Sequence, residues 1–433
     1  MRITVPDGPL DAVDLDAVDL RDPVFHATGD PHAVWRAMRA KSPVHRQELP
    51  DGRSFLSVTR HADVGAVLRD HRRFTSRRGT LLSILGEADP AGDKMMAASD
   101  PPIHTAMREP LAKVLSYGAL RARQPDIRLV VRRLLAPVAD GGPWDLAEAV
   151  AGFPMAFTGA LMGLPERDWP YLTELTTMAI APEDASFVDG AGHGNLVTAH
   201  HELFEYFAQR IQSRTHRDDL IGFLARMQLG ERRMRLDEIV YNCYSLLLGA
   251  NVTTPHAIAA TVLAFVENPD QYARIGDDPD AVADAVEEGL RWSSPANHFM
   301  RYAVADTELG GVPVRAGEAL VTWLGSANRD ERVFTDPYRF DVARQPNRHL
   351  AFGLGPHYCV GAPLARIALR LFFGELVALA SGFELAGPVE HLSSNFTAGI
   401  RRMPITVRLR EHAAATLRDA GGDPIPSDPI LSD

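Results

Sequence analysis

A mainly α protein with small β-sheets is the fold class this chain of 433 residues predicts. Three observations predict it. Apolar residues recur at three- and four-residue spacing over long stretches, which is the period of a helix buried on one face. Short β-branched or alternating runs bounded by turn residues are fewer. The composition, 45% hydrophobic and 23% charged, is that of an ordinary globular protein, which excludes disorder throughout.

In chain order, the helical period marks 33–38, 64–68, 120–138, 200–211, 239–266, 282–292 and 364–379. Strand patterns mark 55–59, 301–309 with the turn Gly310-Gly311 behind it, 319–323 and 404–409. No repeat or low-complexity linker divides the chain, so one large domain over 1–411 is expected, with an irregular segment at 1–20. The stretch 412–433 lacks apolar periodicity and reads as a loose tail.

Forty-five Lys+Arg against 56 Asp+Glu leave a net charge of −11, which argues against nucleic-acid binding. Lys41, Lys94 and Lys113 are the only lysines, so nearly every cation is an arginine, a bias read mostly as compositional background. Two cysteines, Cys243 and Cys359, allow one disulfide at most, and a chain this long needs no such staple. Residues 1–20 carry five aspartates and one arginine, the wrong pattern for a signal peptide. No unbroken run of about 18 apolar residues occurs, so no membrane span is expected. A cytoplasmic protein in a reducing compartment is the expectation.

The most informative segment runs Ala351-Phe352-Gly353-Leu354-Gly355-Pro356-His357-Tyr358-Cys359-Val360-Gly361-Ala362 and leads straight into an apolar helix. Glycines at 353, 355 and 361 permit positive φ and close backbone approach, so the loop suits a sulfur with amides aimed at it. A thiolate just ahead of a helix start is also favoured by the helix dipole.

Phe352, Gly355, His357, Cys359 and Gly361 match the F-x-x-G-x-H-x-C-x-G signature, and over essentially its whole length the chain resembles the cytochrome P450 family of haem-thiolate monooxygenases. The resemblance implies the P450 fold, with haem b (iron protoporphyrin IX) between a long distal helix and the cysteine loop. It implies Cys359 as the axial ligand of the haem iron, whose thiolate favours cleavage of the O–O bond. Asp100-Pro101-Pro102-Ile103-His104-Thr105-Ala106-Met107-Arg108 is similar to the family's D-P-P-x-H-x-x-x-R. By that likeness His104, Arg108, Arg301 and His357 are the partners of the two propionates. Glu288 and Arg291, three apart on one helix face, match E-x-x-R. The family's third member of that buried set is an arginine in P-x-R-F, which here is Arg339, and such a set locks the scaffold without doing chemistry.

The stretch 244–266 is apolar nearly all round and, with its lead-in from Asp237, is expected to make one helix of about 30 residues, roughly 45 Å long. In the family this helix carries [AG]-G-x-[DE]-T, aligned with Gly249-Ala250-Asn251-Val252-Thr253. The threonine is present, but Val252 stands where the acid belongs, and valine cannot relay a proton. Pro255 lacks an amide hydrogen and frees the Asn251 carbonyl. Asn251, Thr253 and Thr254, with His256, are the candidates for a replacement water chain, against the plainer reading that Val252 packs and Pro255 kinks.

The resemblance places substrate contacts in the segments 80–98, 178–188, 296–300 and 396–398 and on the distal helix. Leu85, Ile180, Leu246, Ala250, Asn297, Phe299 and Phe396 are the expected pocket residues, for a medium-sized apolar guest with Asn297 and His298 as polar exceptions. The chain has no length left for a flavin or iron–sulfur module. Electrons are therefore expected from a ferredoxin and its reductase, docking near Cys359 on Arg72, Arg73, Arg108, Arg348 and Arg366. Oxygenation of a natural product by O2 is the leading expectation. The missing acid raises oxidative coupling, ring closure or a peroxide-driven reaction as alternatives, and a non-catalytic haem sensor or carrier is the alternative from another class.

Overall fold

The computed structural model describes residues 3, 8, 10–187, 192–213, 218–276 and 278–420. The first two helices start where aspartates cap them. Asp22 accepts the Val24 amide ahead of α1 (Pro23–Thr28), and Asp30 accepts that of Ala33 ahead of α2 (Pro31–Lys41). The hairpin β1 (Val44–Glu48) and β2 (Ser54–Val58) follows, then α3 (His61–Arg69) and β3 (Phe74–Thr75). The stretch expected as one helix over 120–138 is divided. After α4 (Ile103–Val114) come α5 (Tyr117–Leu120), α6 (Gln124–Leu135) and a 3₁₀ segment, Ala136–Asp140. Pro125 and Pro137 explain the division, because each fits only the first turn of a helical piece.

Strand β4 (Trp144–Asp145) then leads into α7 (Leu146–Ala151), α8 (Phe153–Leu161), α9 (Trp169–Ile180), α10 (Gly192–Gln212) and α11 (Leu220–Arg226). A short hairpin, β5 (Gln228–Leu229) and β6 (Arg232–Arg233), precedes the distal helix.

That helix is two helices, α12 (Leu236–Asn251) and α13 (Thr254–Glu267), broken at Val252 and Thr253. Pro255 is the cause: it sits in the first turn of α13, where its missing N–H costs nothing, and it cannot continue α12 past the Asn251 carbonyl. Together the two run over 32 residues with a mean hydropathy of 1.4 in their most apolar window, enough in length and composition to cross a membrane. Two-thirds of that window is buried inside the fold, as in the core helix of a large protein.

Next come α14 (Pro269–Ile275) and α15 (Pro279–Ser293), then β7 (His298–Ala303), the hairpin β8 (Thr307–Leu309) with β9 (Val312–Val314), and β10 (Ala319–Trp323). The strand pattern over 301–309 thus holds two strands parted by a bend at 304–306. The main sheet runs β1-β2-β10-β7-β3, all antiparallel except β10 on β2. A short helix, α16 (Leu324–Ala327), leads to the cysteine loop, and α17 (Ala362–Leu379) leaves it. Strands β11 (Ala380–Leu385), β12 (Glu390–His391), β13 (Ile400–Arg402) and β14 (Pro404–Leu409) complete the sheets.

The expected loose tail is corrected in its first part: α18 (Ala413–Ala420) is a docked helix. Ala413 and Leu417 are 0% and 1% exposed and join the core cluster that includes Val131, Leu135 and Val138. Four-residue spacing puts both on one helix face, a stripe too short to register as periodicity. Residues 421–433 and Val188 lie outside the described residues.

Two large apolar clusters flank the distal helices, one drawn mainly from α6–α8, α13, α15 and α17, the other from α9–α12. Leu246 on α12 and Val360 in the cysteine loop pack against both, so the distal helix and the loop meet the same two bodies of core.

Candidate active site

The cysteine loop is held open by its glycines. Gly353 and Gly355 have φ of 69° and 74°, left-handed values open to glycine, and a Cβ at Gly355 would fall 2.6 Å from the Leu68 carbonyl at the end of α3. Gly361 departs from the expectation, with φ −84°; it serves as a small residue beside sulfur, where an added Cβ would sit 3.8 Å from Cys359 Sγ. The Cys359 amide donates to the Phe352 carbonyl at 2.9 Å. Cys243 and Cys359 form no disulfide: Cys243 is buried, and Cys359 presents exposed surface although protein surrounds its sulfur. Burial of the Cys359 sulfur pushes its pKa up, opposed by the N–H groups of Gly361 and Ala362 and by the charges of Arg108 and Arg366.

Beside the sulfur lies a basic cluster. The His104 and His357 rings are 4.2 Å apart, and Ser76 Oγ is 3.1 Å from His357 Nε2. Asp100 orients Ser76 by accepting its amide at 3.0 Å and also accepts the Thr75 hydroxyl. Both ring nitrogens of His104 are buried without a partner, and Arg301, 3% exposed, has the neighbouring Met300 carbonyl as acceptor. Burial, then the charges of Arg108 and Arg301 against that of Asp100, hold His104 down to about 4. Burial takes Arg301 down to about 10. Arg108 is half-buried on α4, one turn from His104. Donors outnumber acceptors here, the condition that a flat ligand with two carboxylate arms would relieve.

On α12, Gly249 is exposed although the helix is largely apolar, and a Cβ there would meet nothing within 4 Å. Alongside the basic cluster opens a groove of about 1120 Å³ lined by His71, Arg72, Arg77 and Arg78 and by Asp100 and Glu109. None of the seven expected pocket residues lines it.

On the distal side, Val252 is 3% exposed and packs in the α9–α12 cluster. Asn251 donates its amide to the Leu247 carbonyl at 2.8 Å and keeps a buried Oδ1 without a partner. Thr253, half-buried, donates to the Gly249 carbonyl at 3.1 Å, and Thr254 is buried. His256 is turned to the hairpin of β13, where it bonds the Ile400 backbone, and burial holds it down to about 4.

Among the expected pocket residues, Leu246, Ala250, Phe299 and Phe396 are partly exposed, and the Phe299 and Phe396 rings are 6.0 Å apart. Leu85 and Ile180 are 3% and 7% exposed and belong to core clusters. Asn297 is corrected outright: at 1% exposure it donates to the Asn395 carbonyl at 3.0 Å and holds a loop. His298 is likewise structural. It accepts the Leu82 amide at 3.1 Å through Nε2 and stands edge-on to Trp323, and burial takes it down to about 3.

The segment 94–96 is clamped to α12 by Asn242, which accepts the Met96 amide at 3.0 Å and donates to the Lys94 carbonyl at 2.9 Å. Lys94 itself pairs with Asp237 at 3.3 Å and lies over the Tyr241 ring.

Behind the loop, Glu288 and Arg291 are both 0% exposed and joined by two bonds of 2.7 and 2.8 Å. The third guanidinium is Arg344, not Arg339. Arg344 Nε lies 3.2 Å from Glu288, whereas Arg339 is exposed and contributes its carbonyl, which accepts from Arg291 and Arg344. The turn at 336–341 points the Arg339 carbonyl inward and its side chain out; Arg344, five residues on, was the signal to weigh. The expected docking arginines divide in the same way. Arg366 is committed to Glu287 by two bonds of 2.7 and 2.8 Å, and Arg73 to Asp70, while Arg72 and Arg348 stand exposed.

A family model described as cytochrome P450 matches residues 195–383. The chain is 32% identical over 402 residues to cytochrome P450 NovI of Streptomyces niveus, covering 91% of this chain and 97% of that one. It is 35% identical over 383 residues to nocardicin C N-oxygenase of Nocardia uniformis subsp. tsuyamanensis, covering 84% and 93%. Among solved structures it superposes on P450 OxyD, described as involved in the biosynthesis of vancomycin-type antibiotics. That match has a TM-score of 0.81 at 33% identity, covering 91% of this chain and 100% of the other.

Proposed function

The chain belongs to the cytochrome P450 family of haem-iron monooxygenases, and from that premise we propose that it inserts one oxygen atom of O2 into a medium-sized, largely apolar natural product. Cys359 would hold the iron of haem b through its sulfur. Its electrons come, in the cytoplasm, from a ferredoxin and its reductase, through a face that presents Arg72, Arg108 and Arg348. The observation that carries the reading is the buried His104, with both ring nitrogens unpartnered, and the buried Arg301, with half-buried Arg108 and His357 on the same cluster beside the Cys359 thiol. The likeness to P450 OxyD, described as involved in the biosynthesis of vancomycin-type antibiotics, supports a biosynthetic substrate.

When bound, the haem supplies the redox chemistry of O2 activation at an iron made electron-rich by its thiolate. The chain supplies the rest. His104, Arg108, Arg301 and His357 hold the propionates, and the amides of Gly361 and Ala362 hold charge on the Cys359 sulfur. Leu246, Ala250, Phe299 and Phe396 give the guest an apolar wall and exclude water. Protons come by the Thr253 hydroxyl and a water held on Asn251 Oδ1, with Thr254 behind them, because Val252 has no proton to give.

A carbon monoxide difference spectrum of the haem-loaded protein should show the red-shifted thiolate band, and Cys359→Ser should lose it. Asn251→Ala and Thr253→Ala should each lower the product formed per reducing equivalent consumed; unchanged coupling would remove them from the relay.

Burial of Val252 in an apolar cluster favours one second reading, in which the substrate or a peroxide supplies the proton and the product is coupled or ring-closed. Product mass separates the two, since oxygenation adds an oxygen atom and coupling removes hydrogens. No substrate-dependent consumption of reducing equivalents at all would mean a haem sensor or carrier.

A further inference from the structure

The loop at 80–98 bridges two of the elements that give the guest its wall. Its start is tied to β7, the strand that carries Phe299: the Thr80 carbonyl accepts the Met300 amide at 2.7 Å, and the Tyr302 hydroxyl accepts that of Gly86 at 3.1 Å. Its far end is clamped by Asn242 onto α12, the helix that carries Leu246. Between these ties lies Asp89, partly buried. One of its oxygens accepts the Ala91 amide at 2.9 Å, and the other has no partner among the described residues. Burial pushes this carboxyl up against the pull of that amide, and no cation of the chain draws it back.

Near it on α12 is Tyr244, whose phenol is pushed up by burial and then by the charge of Asp89. The Tyr244 hydroxyl stands 2.9 Å from His200 Nε2 on α10, and burial keeps His200 low and therefore neutral. A phenol that donates to a neutral imidazole has only acceptor capacity left. Phe204 closes the group, edge-on to Tyr244 at 5.0 Å and stacked on His200 at 5.7 Å. This corner offers a carboxylate oxygen, a phenol oxygen and ring faces, the reverse of the donor-rich cluster beside Cys359. The molecule also contains a filled version of it. One turn earlier on α12, Asp237 and Tyr241 hold the Lys94 ammonium, the carboxylate at 3.3 Å and the ring centre at 5.7 Å. Phe204 packs against Tyr241 at 5.3 Å as well, so the two corners share a wall. Aspartate with tyrosine takes an ammonium both by charge and by the electron-rich ring face.

We propose that Asp89 and Tyr244 form a subsite for a protonated amine, and that the guest is an apolar molecule carrying one basic nitrogen. The two residues set specificity and take no part in the chemistry. An ammonium in this corner fills the vacant carboxylate oxygen and the phenol oxygen, and it fixes which end of the guest lies away from the apolar wall. A neutral guest of the same shape would leave the carboxylate half-buried and unanswered, so the subsite also selects against it. The proposal rests on the apolar-guest reading given above and narrows it.

The test is equilibrium dialysis of the haem-loaded full chain with two probes of one shape, 3-phenylpropyltrimethylammonium and its neutral tert-butyl isostere. The quaternary nitrogen has no lone pair to offer iron, so binding reports the corner and not ligation. The wild type should hold the cation about tenfold more tightly than the isostere, the factor for one charge-assisted contact. Asp89→Asn, which keeps an oxygen for the Ala91 amide, should cancel that preference and leave the isostere within about twofold. Tyr244→Phe should give a smaller fall for the cation, since the ring remains. A cation preference that survives Asp89→Asn overturns the proposal. If neither probe binds the wild type, the apolar-guest reading fails, and the subsite with it. If the isostere binds the wild type as tightly as the cation, only the subsite has failed.

Discussion

Two polar clusters frame the cysteine loop, and they are built on opposite principles. Behind it, Glu288 accepts from Arg291, Arg344, Asn347 and the Asp341 amide, while Arg291 also donates to the carbonyls of Asn328 and Pro337 at 2.9 Å. The charges of Glu288 and Arg291 are thus answered within the chain. Beside the loop, His104 has two unpartnered ring nitrogens and Arg301 donates to one adjacent carbonyl. A buried set that is closed on itself holds a scaffold; one left with donors to spare holds something else.

The largest test of that contrast is Glu288→Ala. It strands two buried guanidinium groups and should cost about 3–5 kcal/mol, read as a fall in denaturant midpoint of similar size with and without haem. Arg301→Gln should behave in the opposite sense. The haem-free chain should lose no stability, while haem retention falls by a factor of roughly ten to a hundred, one charged bond at about 1.5–3 kcal/mol. A haem-free Arg301→Gln that unfolds more readily would place Arg301 with the closed set.

A smaller effect separates the clusters by pH. His104 titrates at about 4 when folded and near 6.5 when unfolded. The unfolded haem-free chain therefore takes up the proton first, and stability declines as pH falls from the upper value to the lower. Carboxylates brought by haem would raise the folded value and flatten that slope, so denaturant midpoints against pH should differ between haem-free and loaded protein. Equal slopes would argue against His104 as a propionate partner. Smallest of all is Arg339→Ala, expected within about 0.5 kcal/mol because its side chain is exposed and its carbonyl remains. Arg344→Ala should cost more.

What was legible in the sequence follows from the same distinction. The Cys359 loop, the His104–Arg108 pair and the Glu288–Arg291 pair are each spelled within one loop or one helical turn, so spacing alone brings their members together. Arg344 was not legible, because its choice over Arg339 depends on the path of a turn. Asn297 likewise reads as a polar pocket residue until the fold presents it with the Asn395 carbonyl. Pro255 announced a freed carbonyl at Asn251, yet the apolar run around it implied one unbroken helix; only packing shows that the core tolerates two. The bonds of Asp184 with Ser393 and Arg401 had no local signal, since those partners lie more than two hundred residues away in sequence.

The clamp of residues 94–96 onto α12 gives the molecule a chemical handle. With three lysines in the chain, amine-reactive reagents find few side chains, and Lys41 and Lys113 are exposed. Lys94, tied to Asp237 and lying over Tyr241, is the slow one, because its ammonium must leave both before it can act as a nucleophile. Its acylation rate relative to the other two is therefore a clock for the loosening of the segment over the distal helix, readable by mass in an otherwise unmodified protein.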